Sequence, residues 1–126
     1  MSFAEILTCV REAIPVTAVV FHNKQWGAEK KNQVDFYATR FLGVNLRNPS
    51  WAEVARSLGA EGVTVDELGA VGETLEKACD AQKRGKTTVV EVMVTEELGD
   101  PFRRDALKYP TRVLDKYKHT NVMAPM

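Results

Sequence analysis

A group of polar residues follows directly on an apolar stretch near the start of the chain. Val16–Phe21 is apolar and rich in β-branched residues, and His22, Asn23 and Gln25 come after it, followed by Gly27. An apolar run of this length is typical of a strand covered on both faces of a parallel sheet. Ligands of such sheets bind beyond the carboxyl ends of the strands. We therefore expect a cofactor at the segment from His22 to Gly27.

Sequence motifs that identify a catalytic mechanism by themselves are absent from the chain. It contains no G-x-S-x-G, H-E-x-x-H, P-loop or G-x-G-x-x-G pattern. His22 and His119 are the only histidines. A single histidine at a strand end is more often a packed, hydrogen-bonded residue than a catalyst. The residues alone therefore indicate a polar strand-end site and no particular reaction.

Length, charge and cysteine content limit the class of protein. The 126 residues suit one domain, and the 17 basic residues balance the 17 acidic ones, which gives no sign of a nucleic-acid partner. Residues 1–13 carry charges among their apolar positions, unlike a signal peptide, and no apolar run approaches the ~20 residues of a membrane span. Cys9 and Cys79 fall on predicted helices. We expect a cytoplasmic protein with reduced, buried thiols and no membrane partner.

Helical and extended patterns alternate along the chain. The predicted elements are a helix from Ser2 to Pro15, the strand Val16–Phe21, a helix from Ser50 to Gly59, a strand Gly62–Val65, a helix from Asp66 to Gly85 and a strand Thr87–Thr95. Capping residues mark each helix start. Lys24 to Asn48 lacks sustained periodicity and predicts a long loop, with the charged run Glu29–Lys31 facing solvent. The order predicts an α/β fold, a parallel sheet with crossover helices. Residues 1–95 form the domain, and 96–126 an irregular tail that packs on the domain or on a partner.

Three segments carry a resemblance to a known family: Phe21–Tyr37, Gly59–Gly62 and Glu97–Leu107. With them, nearly the whole chain resembles the carboxyl-terminal pyrophosphate-binding domain of thiamine-diphosphate-dependent enzymes, and within these the sulfoacetaldehyde acetyltransferase family. The resemblance implies the thiamine-diphosphate-binding fold, here as a partial domain.

The first of these segments occupies the position of the family's thiamine-diphosphate motif, which begins with Gly-Asp-Gly and ends in Asn-Asn. The resemblance implies that Asn23 binds Mg²⁺ through its side chain and Gln25 through its backbone carbonyl, with His22 replacing the first Asn. Mg²⁺ prefers hard oxygen ligands and is often shared with phosphates. Trp26 and Gly27 are expected to complete the cofactor contacts, Gly27 by allowing close backbone approach. The alternative for Asn23 is a turn-forming residue after a strand.

The Gly-Asp-Gly half of the motif is not in the chain, and only 21 residues precede His22. We therefore expect the triplet to lie just upstream of Met1. The chain is expected to be the carboxyl-terminal part of a larger enzyme, inactive in isolation, that forms a homo-oligomer or joins the missing amino-terminal part.

For the whole enzyme, the resemblance implies conversion of sulfoacetaldehyde and phosphate to acetyl phosphate and sulfite with thiamine diphosphate and Mg²⁺. The alternatives are an acetolactate synthase-type enzyme with another substrate and a non-catalytic α/β remnant. Sulfonate and phosphate are anions that require cationic partners. Lys30, Arg103 and Arg104 are candidates by residue type, and solvent-exposed charge or salt bridges are an equally good account of them.

Overall fold

The structure, a computed structural model, describes residues 2–99 and divides the chain into two compact units. The helices and strands are α1 (Glu5–Arg11), β1 (Thr17–His22), α2 (Gly27–Phe36), α3 (Trp51–Ser57), β2 (Glu61–Val65), α4 (Leu68–Lys83) and β3 (Thr88–Met93). Within these described residues, no helix is long and apolar enough to cross a membrane.

The first unit, residues up to 22 together with 48–94, contains a parallel sheet in the order β1-β3-β2. Both β1 and β2 pair with β3 in parallel, with Val20 and Thr64 opposite Glu91. Parallel neighbours require crossover connections, and helices supply them here. The predicted α/β class and parallel sheet are confirmed.

Strand β3 lies at the centre of this unit and is covered on both faces. Val89 packs with Ile6 and Ala55 on the side of α1 and α3. Val90 and Val92 pack with residues of α4 on the other side. The prediction that Val16–Phe21 is buried on both faces is wrong for the described part of the chain. Residues 17–21 belong to β1, an edge strand of the sheet, and Val19 and Phe21 are 41% and 73% exposed.

Helix α3 begins and ends as its sequence predicts. The Ser50 hydroxyl accepts a hydrogen bond from the Glu53 amide, and Gly59 has a left-handed backbone with φ of +86°. Gly62 allows β2 to approach this helix, because a Cβ at that position would overlap the backbone carbonyl of Ala52. The glycines of Gly59–Gly62 are therefore explained by helix termination and close packing.

Two predicted caps and the predicted burial of both cysteines are wrong. Helix α1 has Ala4 at its N-cap with no side-chain cap, so the Ser2 capping box does not form. Helix α4 begins after Glu67, again without a side-chain cap, and so Asp66 does not cap it. Both cysteines are free, and neither is buried as predicted: Cys9 is half-buried and Cys79 is exposed.

The second unit comprises residues 23–47 and those from 95 on. The predicted loop in this region is wrong for Gly27–Phe36, which form α2. The sequence of α2 has no apolar stripe, which is the pattern by which amphipathic helices are recognised, and no residue of the helix is fully buried. Lys31 and Asp35 form an i, i+4 ion pair of 2.6 Å along it, and Lys31 is partly buried where the sequence predicts a solvated charge.

Candidate functional site

The turn between β1 and α2 presents two oxygens to its surroundings. The Gln25 amide donates a hydrogen bond of 3.2 Å to Asn23 Oδ1. Lys24, between them, has a left-handed backbone with φ of +55°. The Gln25 carbonyl accepts no hydrogen bond from residues 2–99. Asn23 is thus a turn-forming residue whose oxygen retains acceptor capacity, and the Gln25 carbonyl is without a donor in the described part of the chain.

A short antiparallel bridge holds this turn against residues 44–46. Gln25 lies opposite Asn45, flanked by hydrogen bonds from the Trp26 amide to the Val44 carbonyl (2.8 Å) and from the Leu46 amide to the Lys24 carbonyl (2.7 Å). The bridge uses the backbone groups on either side of Gln25. It therefore fixes the turn without using the Gln25 carbonyl.

The side chain of Gln25 is buried and hydrogen-bonded at both ends. Its Oε1 accepts a bond of 2.7 Å from Lys30 Nζ, and its Nε2 donates a bond of 2.7 Å to the Glu96 carbonyl. Lys30 Nζ also lies 5.5 Å from the centroid of the Phe41 ring. Lys30 is therefore partly buried and engaged, where the sequence predicts a solvated charge.

Helix α2 begins at Gly27, with Trp26 at its N-cap and no capping side chain. Among the described residues, no acceptor is found for the backbone amides of Gly27, Ala28 and Glu29. A Cβ at Gly27 would lie 3.5 Å from Asn23 Nδ2 and 3.9 Å from Gln25 Nε2. Free amides at a helix start attract anions such as phosphates. The turn thus combines two neutral oxygens with the anion-attracting end of a ten-residue helix.

The donor set of the turn fits Mg²⁺. Residues 2–99 contain no cluster of three or more His, Cys, Asp or Glu side chains that could hold a metal. An amide oxygen and a backbone carbonyl are hard ligands that magnesium accepts when a phosphate provides the remaining negative charge. These residues therefore suit a metal shared with a bound diphosphate.

His22 belongs to the first unit and lies in a buried polar cluster around Glu91. His22 Nδ1 is 2.7 Å from Glu91 Oε1, and the two side chains are 5% and 1% exposed. Because an ionised carboxylate only accepts hydrogen bonds, Nδ1 carries the hydrogen. Nε2 is buried without a hydrogen-bond partner among the described residues. The ring lies edge-on to Trp51, with 6.4 Å between centroids.

The Glu91 carboxylate receives hydrogen bonds from three other parts of the first unit. Besides His22, the donors are the Ser50 hydroxyl (2.8 Å), the Trp51 amide (3.0 Å), the Ala52 amide (3.2 Å) and the Thr64 hydroxyl (3.0 Å). Burial by itself raises the pKa of Glu91. The hydrogen bonds outweigh that effect and lower the pKa to about 2, so Glu91 is ionised and joins β1, β2 and the start of α3.

Sequence reasoning missed Glu91, although a signal was present. It is the single charged residue of β3, and glutamate is almost never fully buried unless it is paired.

The predicted site residues Arg103 and Arg104 and nearly all of the predicted tail lie outside the described residues, and their roles stay predictions. Of the others, the structure brings Asn23, Gln25, Trp26, Gly27 and Lys30 together in the second unit, and it places His22 in the Glu91 cluster of the first unit.

Comparisons with known proteins point to one family. Residues 1–92 match the model for "Thiamine pyrophosphate enzyme, C-terminal TPP binding domain". The chain is 64% identical over 119 residues to a sulfoacetaldehyde acetyltransferase of Castellaniella defragrans, and 62% identical over 119 residues to one of Alcaligenes xylosoxydans xylosoxydans. Each match covers 94% of this chain and 20% of the relative, so the chain spans about a fifth of the length of these curated relatives.

A solved structure supports the fold independently. Benzoylformate decarboxylase from Polynucleobacter necessarius superimposes with a TM-score of 0.64 at 24% identity, over 80% of this chain and 18% of that one. Together with the family match, this confirms the predicted resemblance and the predicted fold.

Proposed function

Because the chain belongs to the family of thiamine pyrophosphate enzymes, as their C-terminal TPP-binding domain, we propose that the turn from Asn23 to Gly27 holds the diphosphate end of the cofactor through Mg²⁺. The observation that carries the proposal is that two oxygens precede the uncapped start of α2: the Gln25 carbonyl, which accepts no hydrogen bond from residues 2–99, and Asn23 Oδ1, to which the Gln25 amide donates. Asn23 provides its side-chain oxygen and Gln25 its backbone oxygen.

The amides of Gly27, Ala28 and Glu29 face the same anion. These three N–H groups have no acceptor within residues 2–99 and lie at the positive end of α2, so they stabilise negative charge without a basic side chain. Mg²⁺ neutralises further charge on the phosphates. When it is bound, thiamine diphosphate supplies the carbanion chemistry, and this part of the protein supplies position and charge.

We further propose that the complete enzyme converts sulfoacetaldehyde and phosphate to acetyl phosphate and sulfite. The support is the name shared by relatives 64% and 62% identical over 94% of the chain. Arg103 and Arg104 remain candidates for binding the anionic substrates. The same proposal includes a homo-oligomer in the cytoplasm, where the free Cys9 and Cys79 would stay reduced.

Cofactor binding and turnover test this function in one protein. The protein is a chimaera in which this chain replaces its 119-residue counterpart in the Castellaniella defragrans enzyme. We expect it to bind thiamine diphosphate in a Mg²⁺-dependent way and to release sulfite from sulfoacetaldehyde. If the chimaera binds thiamine diphosphate but releases no sulfite from sulfoacetaldehyde, the proposed cofactor site stands and the proposed substrate is refuted.

Variants of the turn test the residue assignment. Asn23→Ala removes one ligand from an ion that tolerates little distortion, so the Mg²⁺ concentration for half-maximal cofactor binding should rise about tenfold or more. Asn23→Asp keeps an oxygen and should bind better than Asn23→Ala. His22→Asn should be milder for metal binding, because His22 bonds to Glu91.

Calorimetry across a Mg²⁺ titration measures these differences, with circular dichroism to monitor folding. Asn32→Ala is the matched control, since Asn32 carries the same side chain and is exposed on α2. Equal Mg²⁺ dependence in folded Asn23→Ala and Asn32→Ala proteins would leave Asn23 as a turn residue only.

A further inference from the structure

The side chain of Gln25 lies at the centre of a hydrogen-bonded group that has no part in the proposed metal binding itself. Lys30 contacts one end of its amide and the Glu96 carbonyl contacts the other, each at 2.7 Å. The residue is 5% exposed. An amide that is buried and bonded at both ends has one favourable orientation, so the position of the Gln25 backbone is set as well.

That backbone carries one of the two oxygens of the turn and is hydrogen-bonded to the other. The Gln25 carbonyl is one of them, and the Gln25 amide bonds to the other, Asn23 Oδ1, at 3.2 Å. A rotation of residue 25 would displace both oxygens together. The turn also includes Lys24 in a left-handed conformation, which is unfavourable for a residue with a side chain and requires support from its surroundings.

We propose that Lys30 is a positioning residue for this turn, and that its ammonium holds Gln25 so that the Asn23 and Gln25 oxygens stay aligned for a metal ion. The inference rests on the proposed function for the role of the two oxygens. A side chain in the first turn of a helix points back toward the helix start, which is how Lys30 reaches Gln25, five residues earlier. The Phe41 ring, 5.5 Å from the ammonium, stabilises the charge in this partly buried place.

Lys30→Met tests the proposal because methionine keeps the aliphatic stem and removes the charged donor. In the 126-residue chain without metal, we expect amide hydrogen exchange at Gln25, Trp26 and Leu46 to accelerate about tenfold, the usual effect of losing one charge-assisted hydrogen bond. In the chimaera, the Mg²⁺ concentration for half-maximal thiamine diphosphate binding should rise by a similar factor. The temperature of global unfolding should stay within about 2 °C of the parent.

Two further variants separate positioning from a general effect of charge. Lys30→Arg keeps a donor and should restore most of the exchange protection and Mg²⁺ affinity. Lys86→Met is the control, because Lys86 is exposed and belongs to the first unit. It removes the same charge without touching Gln25, so both readouts should stay at the parent value.

The outcomes distinguish this inference from the proposed function. Failure of the parent chimaera to bind thiamine diphosphate with Mg²⁺ would count against the metal site, and the exchange measurement would still decide whether Lys30 orders the turn. Unchanged exchange in Lys30→Met, or equal losses in Lys30→Met and Lys86→Met, would overturn the positioning role.

Discussion

Replacing Glu91 by glutamine tests how the centre of the sheet unit is held together. Glutamine keeps the size of the side chain but places a hydrogen-bond donor where the hydroxyls and amides around Glu91 already donate. The pKa of Glu91 is lowered from 4.5 to about 2. Since a tenfold change in proton affinity corresponds to about 1.4 kcal/mol, the ionised form gains about 3 kcal/mol from its native surroundings.

The sign of the pH dependence follows from this lowered pKa. Above pH 4.5 the carboxylate is ionised in both folded and unfolded chains, so its stabilisation is fully present. As the pH falls from about 4.5 towards 2, the unfolded chain takes up a proton that the folded chain does not, and the stabilisation is lost. We expect Glu91→Gln to lower the free energy of unfolding by about 3 kcal/mol at pH 7 and to remove this part of the acid sensitivity.

Urea denaturation followed by circular dichroism between pH 7 and pH 3 measures both effects. With a denaturant slope of about 1.5 kcal/mol/M, the midpoint should fall by about 2 M at pH 7. Glu53→Gln is the control, because Glu53 is exposed on α3, with 72% side-chain exposure. A Glu91→Gln protein that matches the parent in stability and in its loss of stability with acid would refute the account of the cluster.

Two further predictions concern packing and association. Gly62→Ala should lower the free energy of unfolding by about 2–4 kcal/mol, because its Cβ would overlap the Ala52 carbonyl. Gly72→Ala, in open space on α4, should be neutral or stabilising by up to about 1 kcal/mol. Chemical denaturation that gives the two variants the same stability would contradict this packing. Phe21 is 73% exposed on the edge strand β1 and should promote self-association. Light scattering should therefore detect less association in Phe21→Lys than in the control Leu68→Lys, which changes an exposed residue on helix α4.

The sheet could be predicted from the sequence because its strands carry strong local signals. Short runs rich in β-branched residues mark β1, β2 and β3, and their alternation with helical patterns specifies a parallel arrangement. Helix α2 escaped prediction because it has no apolar stripe and buries no residue fully. The burial of β1 could not be predicted either. An apolar run shows that a strand can be buried, but burial also requires other elements to pack on it, as they do on both faces of β3.

Sequence patterns identify the candidate site by residue type but do not specify its supporting contacts. The resemblance pointed to Asn23 and Gln25 as oxygen donors because their order along the chain matches a motif. The Glu96 carbonyl that fixes the Gln25 side chain is 71 residues away along the chain, and His22 and Glu91 are separated by 69 residues. Neither pairing has a local signal, since each depends on how distant segments fold together. The contacts that orient the predicted ligands can therefore be found only in three dimensions, which is why Lys30 was predicted as a surface charge and is observed bonded to Gln25.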